Sequence, residues 1–158
     1  KRLYYKQEDP VMQITNRFTI AVHIITAIDY FQDKEKVTSS FLACSVGANP
    51  LIVRNVMRKL KEAGIIDISQ GKSGIALARK LDEVTFYDIY KAVDCINEEG
   101  LFHFHENLNT NCPVGRNIHK AMDKKLLQVQ EAMEEAMKKI TLADVAEDTR
   151  REIRWETA

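Results

Sequence analysis

The sequence predicts a mainly α-helical fold with one small β-hairpin, arranged as a winged helix-turn-helix followed by a long C-terminal dimerisation helix. Three observations predict it. A basic helical segment follows a glycine turn within residues 38–63, and a hairpin with a glycine-rich tip comes next, at residues 65–77. Farther on, apolar residues recur at coiled-coil spacing over residues 122–140.

The length and the charge distribution limit the number of domains and indicate what kind of partner the protein has. The chain has 158 residues, enough for one domain or for one domain with an oligomerising arm. Its net charge is zero, but residues 1–81 carry 13 Lys and Arg against 7 Asp and Glu, whereas residues 82–158 carry 10 against 16. This segregation favours one surface for a polyanion and another surface for a different task.

Cysteine usage and hydropathy predict a cytoplasmic protein. The chain has three cysteines at wide spacing, which is not the pattern of a disulfide framework. No apolar run approaches the roughly 20 residues of a membrane span, and no secretory signal is visible, so we expect no membrane partner. Because the first methionine is Met12, we interpret residues 1–11 as an N-terminal extension.

Two helices are predicted before the turn. Residues 16–30 repeat apolar side chains every three or four positions, as a buried helix does. His23 lies within that pattern, and we interpret it as a core or interface histidine rather than a metal ligand. Ser39 or Ser40 is expected to cap the second helix through its hydroxyl, and Gly47 is expected to end it.

The third helix carries a basic face. Asn49 is expected to cap it, Pro50 to occupy its first position and Ala63 to end it. Its apolar side chains form one stripe, and its basic side chains form the opposite stripe. A single acidic residue, Glu62, interrupts the basic stripe. A merely solvated face usually mixes both signs, so this stripe favours contact with DNA. The residues predicted to contact DNA are Ser39, Ser40, Asn49, Leu51, Arg54, Asn55, Arg58, Lys59, Lys61, Lys72, Ser73 and Arg79.

The hairpin and a short helix complete a winged domain, which we assign to residues 12–93. Its tip, residues 71–74, reads GKSG, and strands are expected on either side. Thr85 is expected to cap the short helix that runs to Val93. Residues 94–113 show weak periodicity, and we interpret them as a sensing loop.

A long helix is predicted from Val114 to Ile140, within a dimerisation segment of residues 114–145. A helix this long cannot bury its apolar stripe against so small a domain, so a homodimer is expected, although packing against the first helix of the same chain is an alternative. Thr141 is expected to open only a final short turn, and residues 146–158 to form a polar tail with Trp155 as its one large apolar side chain. The predicted dimer seam consists of Met122, Leu126, Val129, Met133, Ala136 and Ile140.

The sequence resembles the Rrf-two family of bacterial winged-helix transcriptional regulators, which includes IscR, NsrR and CymR. The motifs that carry the resemblance are AGII at the end of the basic helix, GKSGIALAR in the hairpin, VTFYDIYKAVD after it and ITLADV after the long helix. The resemblance covers roughly residues 12–145. It implies a homodimer that crosses through its long helices, binds a palindromic operator and senses a signal between the short helix and the long helix.

The cluster-binding members of that family carry three closely spaced cysteines near the start of the long helix. Here Cys112 alone has that position, since Cys95 lies 17 residues earlier and Cys44 lies in the DNA-binding half. We therefore expect a member without an iron–sulfur cluster, without another cofactor and without a metal.

Cys112 is the candidate sensing residue. Helix-start amides and Arg116 would activate its thiol for redox chemistry, or the thiol is inert. His103, His105 and His119 give Cys112 a loose zinc-ligand spacing as a second alternative. The third alternative is a small-molecule effector in the pocket between the short helix and the long helix.

The sequence thus predicts a DNA-binding regulator, which we expect to be a repressor that responds to a redox or small-molecule signal. The alternative is a winged-helix interaction module whose basic face meets an acidic protein partner. No nucleophile with its base, no phosphate loop and no paired-carboxylate motif is visible, so an enzyme is not expected.

Overall fold

The computed structural model of the chain describes residues 16–68, 74–93, 102 and 107–157. Within them, helices and an antiparallel two-stranded hairpin confirm the predicted fold class. A single 3₁₀ turn, Leu81–Glu83, follows the hairpin. The elements are α1 (Asn16–Phe31), α2 (Ser39–Val46), α3 (Pro50–Glu62), β1 (Ile66–Ile68), β2 (Ile75–Leu77), α4 (Phe86–Ala92), α5 (Pro113–Met137) and α6 (Leu142–Glu156).

Helix α1 lies at the centre of the core. Its buried side chains point in several directions around the helix, because α2, α3, α4, α6 and β2 all pack against it. Ile24, Ile25 and Ile28 are fully buried, as expected for a helix that is apolar on most of its circumference. Of the two places predicted for His23, the core is wrong, since its side chain is exposed on this chain, and Nε2 lies 3.0 Å from Ser45 Oγ. The interface position stays a prediction.

The helix-turn-helix is fixed by its caps. Thr38, not Ser39 or Ser40, caps α2, since the helix begins at Ser39 and the preceding hydroxyl accepts a hydrogen bond from the Phe41 amide at 3.1 Å. Gly47 ends α2 with φ +66°, and Asn49 Oδ1 accepts from the Leu51 amide at 2.8 Å to cap α3. The predicted glycine turn and asparagine cap are therefore confirmed.

The hairpin is attached to the segment before α2. Ile66 pairs with Leu77 and Ile68 with Ile75, and the Ile75 amide donates to Val37 O at 3.0 Å. Gly74 has φ +73°, and a Cβ there would lie 2.6 Å from Val37 O, so this close approach requires glycine. The rest of the predicted tip, with Lys72 and Ser73, lies outside the described residues.

The prediction for the C-terminus is wrong. Helix α5 ends at Met137, and residues that were expected to form a short turn and a polar tail form the 15-residue helix α6. A capping box starts it: the Asp144 amide donates to Thr141 Oγ1, and the Thr141 amide donates to Asp144 Oδ2. Helix α6 then packs along α1, where Arg150 forms an ion pair with Asp29.

Backbone hydrogen bonds join the end of the predicted dimerisation segment to the winged domain. Phe86 N donates to Ile140 O at 2.9 Å, and Leu142 N donates to Val84 O at 2.8 Å, which forms an antiparallel bridge between Thr85 and Thr141. Ile140, the last residue of the predicted seam, therefore lies in this bridge region rather than in α5.

Candidate nucleic-acid interface

Helix α3 has one buried face and one exposed polar face. Val53, Val56, Met57 and Leu60 are buried in the core. Arg54, Asn55, Arg58 and Lys61 are exposed, and Lys59 is half-buried. The predicted division of this helix is confirmed. Leu51, at the N-terminal end of α3, is 60% exposed, so it offers an apolar contact before the basic residues along the helix.

One ion pair lies on the exposed face of α3. Arg58 Nη1 is 3.1 Å from Glu62 Oε1, and both side chains are more than 60% exposed. Exposed pairs of this kind contribute about 0–1 kcal/mol. Arg58 can therefore exchange Glu62 for a phosphate at little cost in stability.

A cleft of about 300 Å³ separates the start of α2 from the start of α3. Ser39, Ser40 and Arg54 line it, so the structure brings together three of the predicted DNA contacts. Cys44 lines the same cleft and is exposed, although the sequence interpretation did not place it at this surface. Its position four residues after Ser40, one turn along the same face of α2, is the signal that would have found it.

The guanidinium of Arg79 has a hydrogen bond and an ion pair with other residues of the chain. Its Nη2 donates to Glu83 O and lies 4.0 Å from Asp88 Oδ2, across the 3₁₀ turn that follows the hairpin. These contacts engage the guanidinium with residues that follow the hairpin. A DNA contact by Arg79 stays a prediction that requires it to leave these partners.

Helix α5 is exposed over most of its length. Among its 25 residues, all of which the structure describes, Met137 is the one buried side chain, and Met133 packs against the core. Val129 is 53% exposed, Ala136 is exposed, and Met122 and Leu126 are half-exposed. On the single chain, most apolar side chains of the predicted seam are therefore uncovered. Met133 is an exception, because it packs against the core of its own chain.

Comparison with known proteins decides the family. Residues 14–148 match the Rrf2 family, described as iron-dependent transcriptional regulators. The chain belongs to the Rrf2 family. It is 36% identical over 132 residues to YwnA of Bacillus subtilis (strain 168), which is named a candidate HTH-type transcriptional regulator, and the match covers 84% of this chain and 96% of YwnA.

Solved structures agree on the fold. IscR of T. potens is 20% identical, with a TM-score of 0.61 over 87% of this chain and 88% of IscR. CymR, the global cysteine regulator of B. subtilis, is 16% identical, with a TM-score of 0.62 over 85% of this chain and 96% of CymR. The resemblance inferred from sequence is confirmed. The protein is an Rrf2-type transcriptional regulator with a DNA-binding fold, and it is not an enzyme.

The description of the family raises the question of iron. Cys112 is half-buried at the cap position of α5, and its carbonyl accepts from the Arg116 amide. Across the described ranges, no three His, Cys, Asp or Glu side chains come together as a metal site. Cys95, His103 and His105, which the sequence offered as further candidate ligands, lie outside those ranges. The expected lack of an iron–sulfur cluster therefore stays a prediction.

None of the helices within the described part of the chain is long and apolar enough to cross a bilayer.

Proposed function

We propose that this Rrf2 regulator binds a palindromic duplex operator as a homodimer and represses transcription from it. The exposed basic face of α3, held on a buried apolar stripe next to a capped turn, is the observation that carries the proposal. Recognition helices of this kind enter the major groove with their N-terminal residues against the base edges.

The positions along α3 divide the proposed contacts. Arg54 and Asn55 lie near its N-terminal end, where Arg suits guanine and Asn suits adenine. Arg58, Lys59 and Lys61 lie farther along, and we assign them to phosphates. Ser39 and Ser40 start α2, whose first-turn amides also suit a phosphate oxygen.

The uncovered seam of α5 supports the dimer. Two copies related by a two-fold axis would cover each other's exposed Val129 and the half-exposed Met122 and Leu126. The same axis would present two copies of α3 to successive major grooves, which is what a palindromic operator requires.

For the signal, we keep Cys112 as the proposed redox residue. Its place at the start of α5 lets a change in the thiol reach the helix that would carry the dimer contact. A small-molecule signal, bound between α4 and α5, is the alternative.

The testing experiment is selection of bound duplexes from random DNA by the 158-residue chain at moderate salt. We expect an enriched palindrome, and Arg54→Ala should weaken binding to it by about 1–3 kcal/mol, because a lost bidentate base contact costs that much. Arg17→Ala, which removes an exposed arginine on α1, is the matched control and should leave affinity unchanged.

Two results would contradict this function. The first is a selected pool that binds no better than random duplex. The second is equal binding to an acidic protein surface and to DNA with no effect of Arg54→Ala, which would favour the interaction-module alternative.

A further inference from the structure

A groove between α1, α2 and α6 takes no part in the proposed DNA face or in the α5 seam. It encloses about 360 Å³. Helix α6, which the sequence interpretation missed, forms one of its walls. We name it the α1–α6 groove and define it by Val22, Thr26, Tyr30, Ser45, Thr149 and Ile153.

The walls of the groove present little free polarity. Thr26 Oγ1 donates to Val22 O at 2.9 Å, and Thr149 Oγ1 donates to Val145 O at 2.8 Å. Both hydroxyls are therefore satisfied within their own helices. Together with Tyr30 and Ile153, they leave an apolar and aromatic lining.

His23 and Ser45 give the groove polar groups that are not hydrogen-bonded to a carbonyl of their own helix. His23 Nε2 and Ser45 Oγ are 3.0 Å apart, both side chains are exposed, and both line the groove. This pair can donate to a ligand oxygen. In addition, Lys34 Nζ lies 3.2 Å from the ring centroid of Tyr30, which sets a positive charge against a residue of the wall.

We propose that the α1–α6 groove binds a small aromatic carboxylic acid. Its ring would lie between the apolar walls of α1 and α6, and its carboxylate would accept hydrogen bonds from the His23–Ser45 pair. The volume is at the small end of ligand pockets and suits a compact ligand of roughly 10–15 non-hydrogen atoms.

Binding here has a route to the DNA face. Ser45 lies on α2, two residues before the Gly47 turn and four before the Asn49 cap of α3. A carboxylate that draws Ser45 away from His23 changes how α2 sits on α1, and α2 and α3 pack against each other. The effect on DNA rests on the function proposed above, whereas binding to the groove does not.

The test uses 2-naphthoic acid and the 158-residue chain in isothermal titration calorimetry. We expect saturable binding with a dissociation constant of about 1 mM or lower, given the size of the probe. Thr149→Leu fills the groove and should weaken binding by at least about tenfold, and Ser45→Ala should weaken it by about tenfold through the lost hydrogen bond to a charged group.

Thr157→Leu is the matched control. It makes the same change at the residue that directly follows α6, where the hydroxyl also donates to a carbonyl of that helix, Ile153 O at 3.1 Å, but the side chain lies outside the groove. Binding should be unchanged in this variant, and circular dichroism should be native in all three.

Three results would overturn the assignment. They are no binding heat at about 5 mM probe, equal affinity in Thr149→Leu and the wild type, or a groove closed by a second copy of the chain. The last would appear as a weaker dimer in Thr149→Leu together with no probe binding to the wild-type dimer. DNA affinity is measured separately, with and without the probe. A protein that binds no DNA refutes the proposed operator but does not affect the conclusion drawn from calorimetry. Probe that binds without changing DNA affinity refutes regulation through the groove.

Discussion

Substitution of Val129 by Asp should separate the subunits while leaving each protomer folded. Val129 is 53% exposed on the single chain and lies in the middle of the proposed seam. Met133 is a poorer probe, because it also packs against the core of its own chain, so a charge there would weaken the protomer itself. Val129 tests the interface alone.

The magnitude follows from this exposure. Full burial of a valine contributes roughly 1.5–3 kcal/mol, so covering its exposed half contributes about 1 kcal/mol per protomer. Two-fold symmetry doubles that loss to about 2 kcal/mol per dimer. Two carboxylates taken out of water add at least a further 2 kcal/mol or so. A total near 4 kcal/mol raises the dimer dissociation constant by about 1,000-fold.

Sedimentation velocity over a concentration series is the measurement, with circular dichroism as a check on folding. Gln128→Asp is the matched control, since it introduces the same charge at an exposed neighbour outside the seam and should leave the dimer intact. A Val129→Asp protein that sediments as the wild type does, at every concentration, would refute the α5 seam. A wild-type protein that is monomeric throughout would refute the dimer itself.

The other predictions concern binding, acid stability and the proposed sensing residue. Lys72→Ala should weaken binding to all duplexes alike and lower the salt slope by about one unit, as titration by fluorescence anisotropy at several salt concentrations would show, because it removes a phosphate contact. The hydrogen bond from the Thr141 amide, and then the one from its hydroxyl, hold the pKa of Asp144 below its usual value. A carboxyl group whose pKa is lower in the folded state stabilises the fold at pH values above its unfolded pKa of about 4, and this contribution is lost as the pH falls further. The free energy of unfolding of Asp144→Asn, measured in urea, should therefore depend less on pH below about 4 than that of the wild type or of the control variant Asp82→Asn. Purified protein should contain far less than one iron per chain by anaerobic iron analysis, and Cys112→Ser should abolish any response of DNA binding to oxidants. An oxidant response that persists in Cys112→Ser would shift the proposed role to Cys44, which lines the cleft beside Arg54.

Local signals in the sequence predicted most of the winged domain. Asn49, Pro50 and the apolar stripe of α3 act within one or two helical turns, so their effect can be read from a short window. The cap of α2 was assigned one or two residues late because Thr38 and the two serines are all acceptable caps, and the core that fixes the start of the helix is not local.

Helix α6 was missed although its capping box is visible as Thr141 and Asp144 in the sequence. Its composition is polar, and its stripe of Leu142, Ala146, Thr149 and Ile153 is weakly apolar, so the pattern alone favoured a tail. What holds the helix is its contact with α1, including the Arg150–Asp29 pair, whose residues are 121 positions apart. The α1–α6 groove and the His23–Ser45 pair could not be predicted for the same reason, since both depend on how distant helices pack.

The fold also limits how a signal could reach DNA. Helix α4 packs against α1, α3 and α5, so it lies between the helix proposed to read bases and the helix proposed to hold the dimer. Fully buried Ile89 and Tyr90 fix α4 in the core, and the Thr85–Thr141 bridge fixes the chain just after α5. Close packing of this kind transmits a displacement rather than absorbing it. In the proposed dimer, a small change in tilt between α4 and α5 would therefore change the distance between the two copies of α3, which would have to match one turn of DNA, about 34 Å. Cys112 lies at the start of α5, on this path, whereas the α1–α6 groove lies beside α2, outside it. A substitution at one site should therefore leave the response to the other intact.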